Sequence, residues 1–284
     1  MKYKLLALDI DGTLLNSKHK ITKNVNKALN KAKEKGTVVT LATGRFYGSA
    51  LRVAKNAGVN APIIANDGAQ IQNVYTGDLI YFKPVELEIA QEIIRIIGRY
   101  PLELQVFTKD LRIYAGKGFR LKKFKNALMR RYLSAAGCYN YIRDFVFAPV
   151  INAGNLENVL KIMEEPPAKL VVNGTAETMQ EFKNILVKEF SGEISMTTAI
   201  ENYIDILAYG VSKAHGLEIL SEHLGISREN IIAAGDNYND IEMLEYAGLG
   251  VAMGNAPDIV KDKADMITDS NDNDGLVKVI DKYI

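Results

Sequence analysis

The sequence predicts an α/β protein, and two features of its pattern support that prediction. Near both ends of the chain, short apolar strands alternate with amphipathic helical stretches, as in a doubly wound, Rossmann-like parallel sheet. In the middle of the chain, helices are instead followed by pairs of strands. We therefore expect a discontinuous core formed by residues 1–82 and 209–284, and an inserted α+β domain over residues 83–208.

The first segment contains predicted strands separated by predicted helices. Short apolar runs place the strands at residues 4–8, 37–42 and 62–65. The first helix begins at Thr22 and ends near Gly36. Its apolar face consists of Val25, Ala28, Leu29 and Ala32. The second helix begins after the turn at Gly44 and ends near Gly58, so the segment reads as alternating strand and helix.

The middle segment has a different order of elements. Its predicted helices cover residues 87–97, 155–165 and 176–190. Its predicted strands cover residues 102–106, 112–115, 169–172, 193–198 and 203–208, and the last two strands form a hairpin. Pro166 and Pro167 end the second helix. The basic stretch RLKKFKNALMRR, residues 120–131, could meet an acidic ligand, but such stretches are more often solvated helix faces.

The doubly wound order resumes after residue 208. A helix over residues 213–224 leads into a strand over residues 230–234. A helix over residues 240–246 and short strands over residues 250–253 and 264–268 follow. Because these elements continue the alternation of the first segment, we expect both segments to share one sheet.

Bulk composition excludes several classes of protein. The chain has 284 residues, 48% hydrophobic and 24% charged, which argues against disorder. Its 35 basic and 34 acidic side chains give a net charge of +1, so no overall field attracts nucleic acid or an anionic membrane. The single cysteine, Cys138, cannot form an intrachain disulfide, and no signal peptide or membrane span is recognisable. We expect a cytoplasmic protein without a nucleic-acid or membrane partner; no pattern indicates an oligomeric state.

Polar residues stand where four of the predicted core strands end. They are Asp9 and Asp11, Thr43 and Gly44, Asp67, and Asp236 with Asn239 and Asp240. Lys213 begins a helix between them. Open α/β sheets bind ligands at the carboxyl ends of their strands. Several carboxylates at one point require a counter-charge, and a set of oxygen ligands suits Mg²⁺.

Each of these residues also has a purely structural interpretation. An Asp-Gly pair is common in turns, and Thr43-Gly44 or Asp236 could cap a helix. The carboxylate of Asp240 could interact favourably with the dipole of the helix that it begins, and a lysine such as Lys213 is usually solvated. Taken singly, the structural interpretations are at least as good as the functional ones. Together they would require four independent coincidences at equivalent strand ends, so we favour a ligand site.

The same residues, in the same order, resemble a known family. DIDGT (9–13), ATGR (42–45), VSKAHGL (211–217) and GDNYNDIEML (235–244) are similar to motifs of the haloacid dehalogenase-like superfamily of phosphatases. The closing SNDNDG (270–275) and the insert after the third strand resemble its Cof-type sugar-phosphatase branch. The resemblance covers the whole chain, and the ordered combination of motifs is highly specific.

The resemblance implies a role for each residue. Asp9 would be the nucleophile that forms an aspartyl-phosphate, and Asp11 would act as general acid and then as general base. The phosphoryl oxygens would be bound by Thr43, Gly44, Lys213 and Asn239. Mg²⁺ would be bound by the Asp9 carboxylate, the Asp11 backbone carbonyl and Asp236, with Asp240 supporting it directly or through water.

Two positions depart from the family pattern. Asp67-Gly68-Ala69 stands where Asn-Gly-Ala is common, which places an extra carboxylate near the expected phosphate. Ala214 follows Lys213 where glycine is usual, a smaller change because alanine suits the start of a helix. The inserted segment would be the cap that closes over the substrate, excludes water and recognises the leaving group.

These features lead to one main functional hypothesis and two alternatives. The main hypothesis is a Mg²⁺-dependent phosphatase that acts on small phosphorylated metabolites, with sugar phosphates as the first candidates. A phosphomutase or phosphotransferase would use the same site but pass the phosphoryl group to a hydroxyl instead of water. A non-catalytic module would bind a phosphorylated ligand or carry a phosphoryl group on Asp9. Asp11 argues against that module, because a phosphoryl acceptor needs no leaving-group acid.

Overall fold

The computed structural model describes residues 2–115, 150–198 and 202–284. It confirms the predicted α/β class: a parallel sheet lies at the centre, and a second, mainly antiparallel sheet is built from the middle of the chain. Strand numbers and helix numbers follow chain order within those ranges. The basic stretch 120–131 and Cys138, which the sequence analysis singled out, lie outside the described residues.

The central sheet contains five parallel strands in the order β14-β13-β12-β1-β2. They are β1 (Leu5–Leu8), β2 (Val38–Leu41), β12 (Ile231–Gly235), β13 (Leu249–Ala252) and β14 (Met266–Ile267). Strand β1 lies between β12 and β2 and pairs in parallel with each of them along its full length. The first and last segments of the chain therefore share one sheet, as predicted.

A three-stranded antiparallel sheet follows β2. Its strands are β3 (Ile63–Ala65), β4 (Gln70–Gln72) and β5 (Leu79–Phe82). Ala42, just after β2, forms a parallel bridge with Ile64, so the end of β3 comes beside the end of β2. The sequence predicted β3 but not β4 or β5. Strand β4 contains one apolar residue between two glutamines, which is too short an alternation to recognise.

Helices cover both faces of the central sheet. One face packs against α1 (Lys23–Glu34), α2 (Tyr47–Ala57) and α9 (Gly275–Tyr283) through Leu6 and Leu8. The other face packs against α6 (Lys213–His223), α7 (Ile241–Tyr246) and α8 (Asp258–Lys261) through Leu5 and Ala7. Successive side chains of β1 thus enter two separate apolar cores, as expected for a strand that is buried on both faces.

The middle of the chain forms a six-stranded sheet in the order β10-β11-β9-β6-β7-β8. Its strands are β6 (Glu103–Phe107), β7 (Arg112–Ala115), β8 (Val150–Asn152), β9 (Lys169–Asn173), β10 (Ile194–Thr197) and β11 (Tyr203–Ala208). Its apolar core is shared with α3 (Leu87–Ile97), α4 (Leu156–Ile162) and α5 (Ala176–Glu189). The predicted hairpin is present, because β10 pairs antiparallel with β11.

Helix α4 is shorter than predicted. The sequence predicts a helix over residues 155–165, whereas the helix ends at Ile162 and Met163 adopts φ −80° and ψ 86°. A proline ring in a helix clashes with the carbonyl group four residues earlier, so Pro166 and Pro167 oppose a helical conformation that continues past Ile162 and Met163. Among the described residues, no helix is both long enough and apolar enough to cross a bilayer.

Candidate active site

Asp9 lies directly after strand β1. Its backbone amide donates to Ala234 O of β12 at 3.0 Å, so strand pairing continues up to this residue. Asp9 is only 5% exposed. Because β12 and β2 flank β1, the residues that follow those strands, Asp236 and Thr43, come to the same edge of the sheet.

Lys213 reaches Asp9 from the first turn of α6. Ser212 caps this helix by accepting a hydrogen bond from the His215 backbone amide at 3.3 Å, which fixes where the helix begins. The Lys213 ammonium donates to Asp9 Oδ1 at 2.7 Å and to Asp240 Oδ1 at 2.6 Å. With 2% exposure, Lys213 is a buried cation of this site and not a solvated lysine.

Burial and neighbouring charges shift the pKa values of both groups. Burial raises the pKa of Asp9 well above its usual range; Lys213 opposes this, and the carboxylates of Asp240 and Asp236 add to it. For Lys213, burial lowers the pKa, but Asp240 and Asp9 outweigh this effect and the net shift is upward. The ammonium is therefore the stable form of Lys213, and Asp9 remains in an environment that favours a proton or a bound cation.

Asp9, Asp236 and Asp240 form a cluster that could hold a metal ion. One carboxylate oxygen from each residue lies within 4.8 Å of the others. Burial and the adjacent Asp240 raise the pKa of Asp236 to about 7, although a hydrogen bond of 2.8 Å from the Thr13 hydroxyl lowers it. Crowded oxygen ligands with unfavourable mutual repulsion suit a hard divalent cation such as Mg²⁺. The residues present therefore fit a magnesium site.

Asp240 is held by the turn that follows β12. Its Oδ2 accepts hydrogen bonds from the backbone amides of Asp236 and Asn237, each at 2.9 Å, while its Oδ1 accepts from Lys213. The carboxylate is completely buried, and both of its oxygens have protein donors. Asp240 therefore fixes the loop that carries Asp236 and the position of the Lys213 ammonium.

Gly12 leaves the space that Asp236 occupies. Gly12 has φ +88°, and a Cβ at this position would lie 2.1 Å from Asp236 Oδ2. Asn255 joins the two residues, since its Nδ2 donates to Gly12 O at 2.9 Å and to Asp236 Oδ2 at 3.3 Å. The turn after β1 thus needs glycine both for its backbone conformation and for the missing side chain.

Asp11 is bound by Arg45 rather than by Lys213. The guanidinium donates from Nε to Asp11 Oδ2 and from Nη2 to Asp11 Oδ1, both at 2.6 Å. Partial burial raises the pKa of Asp11, but the charge and hydrogen bonds of Arg45 outweigh it and the net shift is downward. Bidentate pairing of this kind stabilises the ionised carboxylate. Asp9 and Asp11 therefore have different cationic partners.

The residues predicted to bind phosphoryl oxygens converge on Asp67. Thr43 is buried, and its hydroxyl accepts from the Arg45 backbone amide at 3.2 Å. Asn239 donates from Nδ2 to Asp67 Oδ1 at 2.8 Å. Gly44 lies against the same carboxylate, because a Cβ at position 44 would be 2.9 Å from Asp67 Oδ1. Asp67 is therefore in contact with this group of residues and not at a distance from it.

Asp67 lies in a strained turn directly after β3. Asn66 and Asp67 have φ values of +50° and +54°, a conformation that costs a non-glycine residue about 1 kcal/mol. Asp67 is 1% exposed, and its Oδ2 accepts from Lys169 Nζ of β9 at 2.6 Å. A side chain that follows β3 is thus bound by a cation from the inserted segment.

A cavity of about 240 Å³ lies where the six-stranded sheet meets these strand ends. Its lining includes Asp67, Ser195, Thr197, Lys213, Asn239 and Glu242. The lining therefore combines the buried charged residues Asp67 and Lys213 with two hydroxyl-bearing residues of β10. A space of this kind beside a buried ammonium can take a small polar molecule.

Several residues of this site were missed by the sequence analysis. They are Thr13, Arg45, Lys169, Asp205 and Asn255. Thr13 and Arg45 belong to the DIDGT and ATGR motifs, so their positions in those motifs could have indicated them. Lys169 begins an ordinary apolar strand of the inserted segment, where no local pattern distinguishes a buried lysine from a solvated one.

Comparison with known proteins gives the family. Residues 6–280 match the haloacid dehalogenase-like hydrolase family, which is almost the whole chain. The protein belongs to this family. The resemblance of its four motifs is thereby confirmed, and a subclass IIB sugar phosphatase is among the solved structures with the same fold.

Several relatives of this chain are named as phosphatases. The Bacillus subtilis stress response protein YhaX is 32% identical over 100% of this chain and 94% of its own length. The B. subtilis 5-amino-6-(5-phospho-D-ribitylamino)uracil phosphatase YcsE is 29% identical over 99% of this chain and 96% of its own length. A haloacid dehalogenase-like hydrolase from Bacteroides thetaiotaomicron is similar in structure, with a TM-score of 0.82, 27% identity and 100% coverage of both chains. The haloacid dehalogenase-like protein described here is therefore a phosphatase.

Proposed function

We propose that this phosphatase hydrolyses small phosphorylated metabolites, with sugar phosphates as the main candidate substrates. The reaction would proceed through an aspartyl-phosphate on Asp9, with Mg²⁺ as the cofactor. The observation that carries the proposal is the contact between Asp9 and Lys213 beside the carboxylates of Asp236 and Asp240. A buried carboxylate held 2.7 Å from an ammonium is suited to attack a group that itself carries negative charge. A purely structural ion pair would need no further carboxylates beside it.

In the first step, a carboxylate oxygen of Asp9 attacks phosphorus, and the bond from phosphorus to the leaving alcohol breaks. The Lys213 ammonium reduces the repulsion between this carboxylate and the incoming phosphate. Thr43, Gly44 and Asn239 orient the phosphoryl oxygens. Asp11 in its protonated form gives its proton to the leaving oxygen, which avoids release of an alkoxide.

In the second step, water attacks the phosphorus of the aspartyl-phosphate, releases phosphate and restores Asp9. Asp11, ionised after the first step, accepts the proton of that water. The bidentate contact with Arg45 favours the ionised form that this step needs and opposes the protonated form that the first step needs. Asp11 therefore exchanges Arg45 for the leaving oxygen of the substrate during each cycle.

Asp9, Asp236 and the Asp11 backbone carbonyl would hold the Mg²⁺, with Asp240 as support. When bound, this ion neutralises phosphoryl charge and polarises the phosphoryl oxygens. The charges of the chain support such a site, because the carboxylates of Asp9 and Asp240 share a single ammonium and Asp236 stands beside them.

We assign the catalytic core to residues 1–82 and 209–284, and the role of a cap to residues 83–208. The lining of the cavity by Ser195 and Thr197 of the inserted segment supports this division, because hydroxyl groups suit a polyol leaving group. The name of YcsE also supports this substrate class, since the compound in that name carries a phosphorylated ribityl chain.

An assay of the purified chain tests the proposal. It uses a panel of phosphorylated sugars, sugar alcohols, nucleotides and cofactors, with Mg²⁺ and with a chelator, and Asp9→Asn serves as the control for contaminating phosphatase. We expect phosphate release that depends on Mg²⁺, is absent in Asp9→Asn and is fastest with sugar phosphates. Equal activity in Asp9→Asn would refute the nucleophile. Formation of a phosphorylated acceptor in place of free phosphate would identify a phosphotransferase instead.

A further inference from the structure

Three buried charged side chains connect the end of β3 to the six-stranded sheet, and the mechanism above does not use them. Lys169 Nζ donates to Asp67 Oδ2 and to Asp205 Oδ2, both at 2.6 Å. The side chains of Lys169 and Asp67 are 2% and 1% exposed, and that of Asp205 is 13% exposed. Buried ion pairs contribute little net stability compared with apolar groups of similar volume. This charge triad (Asp67, Lys169 and Asp205) therefore calls for a reason other than stability.

The two carboxylates of the triad belong to different parts of the molecule. Asp205 lies on β11, which is the neighbour of β9 in the inserted segment. Asp67 follows β3 and lies against the residues that we expect to bind phosphate. Lys169 is thus a cation of the inserted segment that neutralises a carboxylate on the other side of the interface.

The two oxygens of Asp67 have separate tasks. Oδ2 accepts from Lys169 Nζ, whereas Oδ1 accepts from the Asn239 side-chain amide at 2.8 Å. Burial raises the pKa of Asp67, but Lys169 and Lys213 outweigh it and bring the pKa to about 2. Asp67 is therefore an ionised hydrogen-bond acceptor that fixes the orientation of the Asn239 amide.

We propose that Lys169 is a positioning residue for phosphoryl transfer: it neutralises Asp67 and holds that carboxylate where it orients Asn239, so the phosphate side of the site is complete only when the inserted segment is seated. This inference rests on the proposed function and adds a residue to it. Without Lys169, the Asp67 carboxylate beside Gly44 and Asn239 would lose its ion-pair partner and would repel a phosphate bound there. Lys169 acts through Asp67 and needs no contact with the substrate.

A set of charge-removing variants of the full chain tests this role. The variants are Lys169→Met, Asp67→Asn, Lys169→Met with Asp67→Asn, and Lys169→Met with Asp205→Asn. The measurements are kcat and KM for p-nitrophenyl phosphate with Mg²⁺, together with thermal unfolding. The two double variants form a matched pair, because each removes one of the two carboxylates that lose their partner in Lys169→Met.

We expect Lys169→Met to lower kcat/KM by about 10- to 100-fold. Removal of the Asp67 charge in the same chain should restore kcat/KM to within about threefold of Asp67→Asn alone. Removal of the Asp205 charge should leave it low, although both double variants should regain similar thermal stability. If Lys169→Met does not fold, the comparison of the double variants still decides the matter.

Two results would overturn the inference while the proposed function stands. One is wild-type kcat/KM in a folded Lys169→Met. The other is equal recovery, or equal failure, of activity in the two double variants, which is the expectation for a purely structural ion pair. A wild-type chain without Mg²⁺-dependent activity on any phosphorylated substrate would instead refute the proposed function, and this inference with it.

Discussion

At the scale of single residues, Asp9 and Asp11 are two positions apart and have opposite electrostatic environments. Burial raises the pKa of both, but Asp9 faces further carboxylates and its pKa stays raised, whereas Arg45 brings the pKa of Asp11 down. The two carboxylates differ in their neighbouring charges and also in their exposure, since the Asp9 side chain is 8% exposed and that of Asp11 is 43% exposed. Carboxylates with different environments can divide nucleophilic attack and proton transfer between them.

Asp205 leads to a prediction about pH and stability. Burial raises its pKa, Lys169 opposes this and Asp67 adds to it, so the pKa is about 6 instead of the ordinary 3.8. The folded state therefore binds this proton more tightly than the unfolded state. The resulting stability is fully present below the unfolded pKa and is lost as pH rises through 6. Asp205→Asn carries no such proton and should not lose this stability.

The measurement is the free energy of unfolding of wild type and Asp205→Asn from about pH 4 to about pH 7, with chelator present. Wild type should lose about 1–3 kcal/mol relative to the variant across this range. The carboxylates of the metal cluster are the same in both chains, so their titration cancels in the difference. A difference that stays constant, or that changes in the opposite direction, would show that Asp205 is ionised throughout.

At the scale of elements, the turn after β1 predicts the result of a glycine substitution. Gly12→Ala adds strain of about 1–2 kcal/mol and places a methyl group where Asp236 now lies. We expect the substituted chain to fold but to lose the thermal stabilisation by Mg²⁺ and most phosphatase activity. The measurement is thermal unfolding with and without Mg²⁺.

Gly36→Ala is the matched control for this turn. Gly36 has φ +90°, and a Cβ there would have nothing within 4 Å. The Gly36→Ala variant should therefore show similar backbone strain but keep the full stabilisation by Mg²⁺ and the full phosphatase activity. Unchanged Mg²⁺ stabilisation in Gly12→Ala would mean that Asp236 does not hold the ion.

The elements that the sequence predicted well are those with a strong local pattern. Helix α1 buries Val25, Ala28, Leu29 and Ala32, the apolar face read from the sequence. Helix α4 ends earlier than predicted, because the ring of Pro166 would clash with the carbonyl group of Ile162 in a longer helix. Helix α9 was not predicted, although its buried Leu276, Val279 and Ile280 have helical spacing that could have indicated it.

At the scale of the whole molecule, sheet order explains what could be predicted about the site. Residues at the ends of β1, β2 and β12 could be assigned to one edge, because parallel neighbours end together. The pairing of Asp11 with Arg45 and of Asp67 with Lys169 depends on side-chain direction and on contacts between distant segments. The motif position of Arg45 could have indicated that residue, but neither pairing leaves a local pattern in the sequence, so the structure was needed to find the two pairings.

The central claim is that Asp9 forms a covalent intermediate, and Asp11→Asn gives the most direct test. With p-nitrophenyl phosphate, the leaving group needs little help from an acid, so the first step should proceed. The second step lacks its base and should slow by about 10²- to 10⁴-fold. The intermediate should therefore accumulate.

The measurement is a pre-steady-state reaction of Asp11→Asn with Mg²⁺ and an excess of substrate, quenched in acid and followed by peptide mapping. The account predicts a burst of p-nitrophenol equivalent to the enzyme and a phosphoryl group on the peptide that contains Asp9. A phosphoryl group on another residue, or turnover by wild type with no covalent phosphoryl group in Asp11→Asn despite the burst, would contradict it.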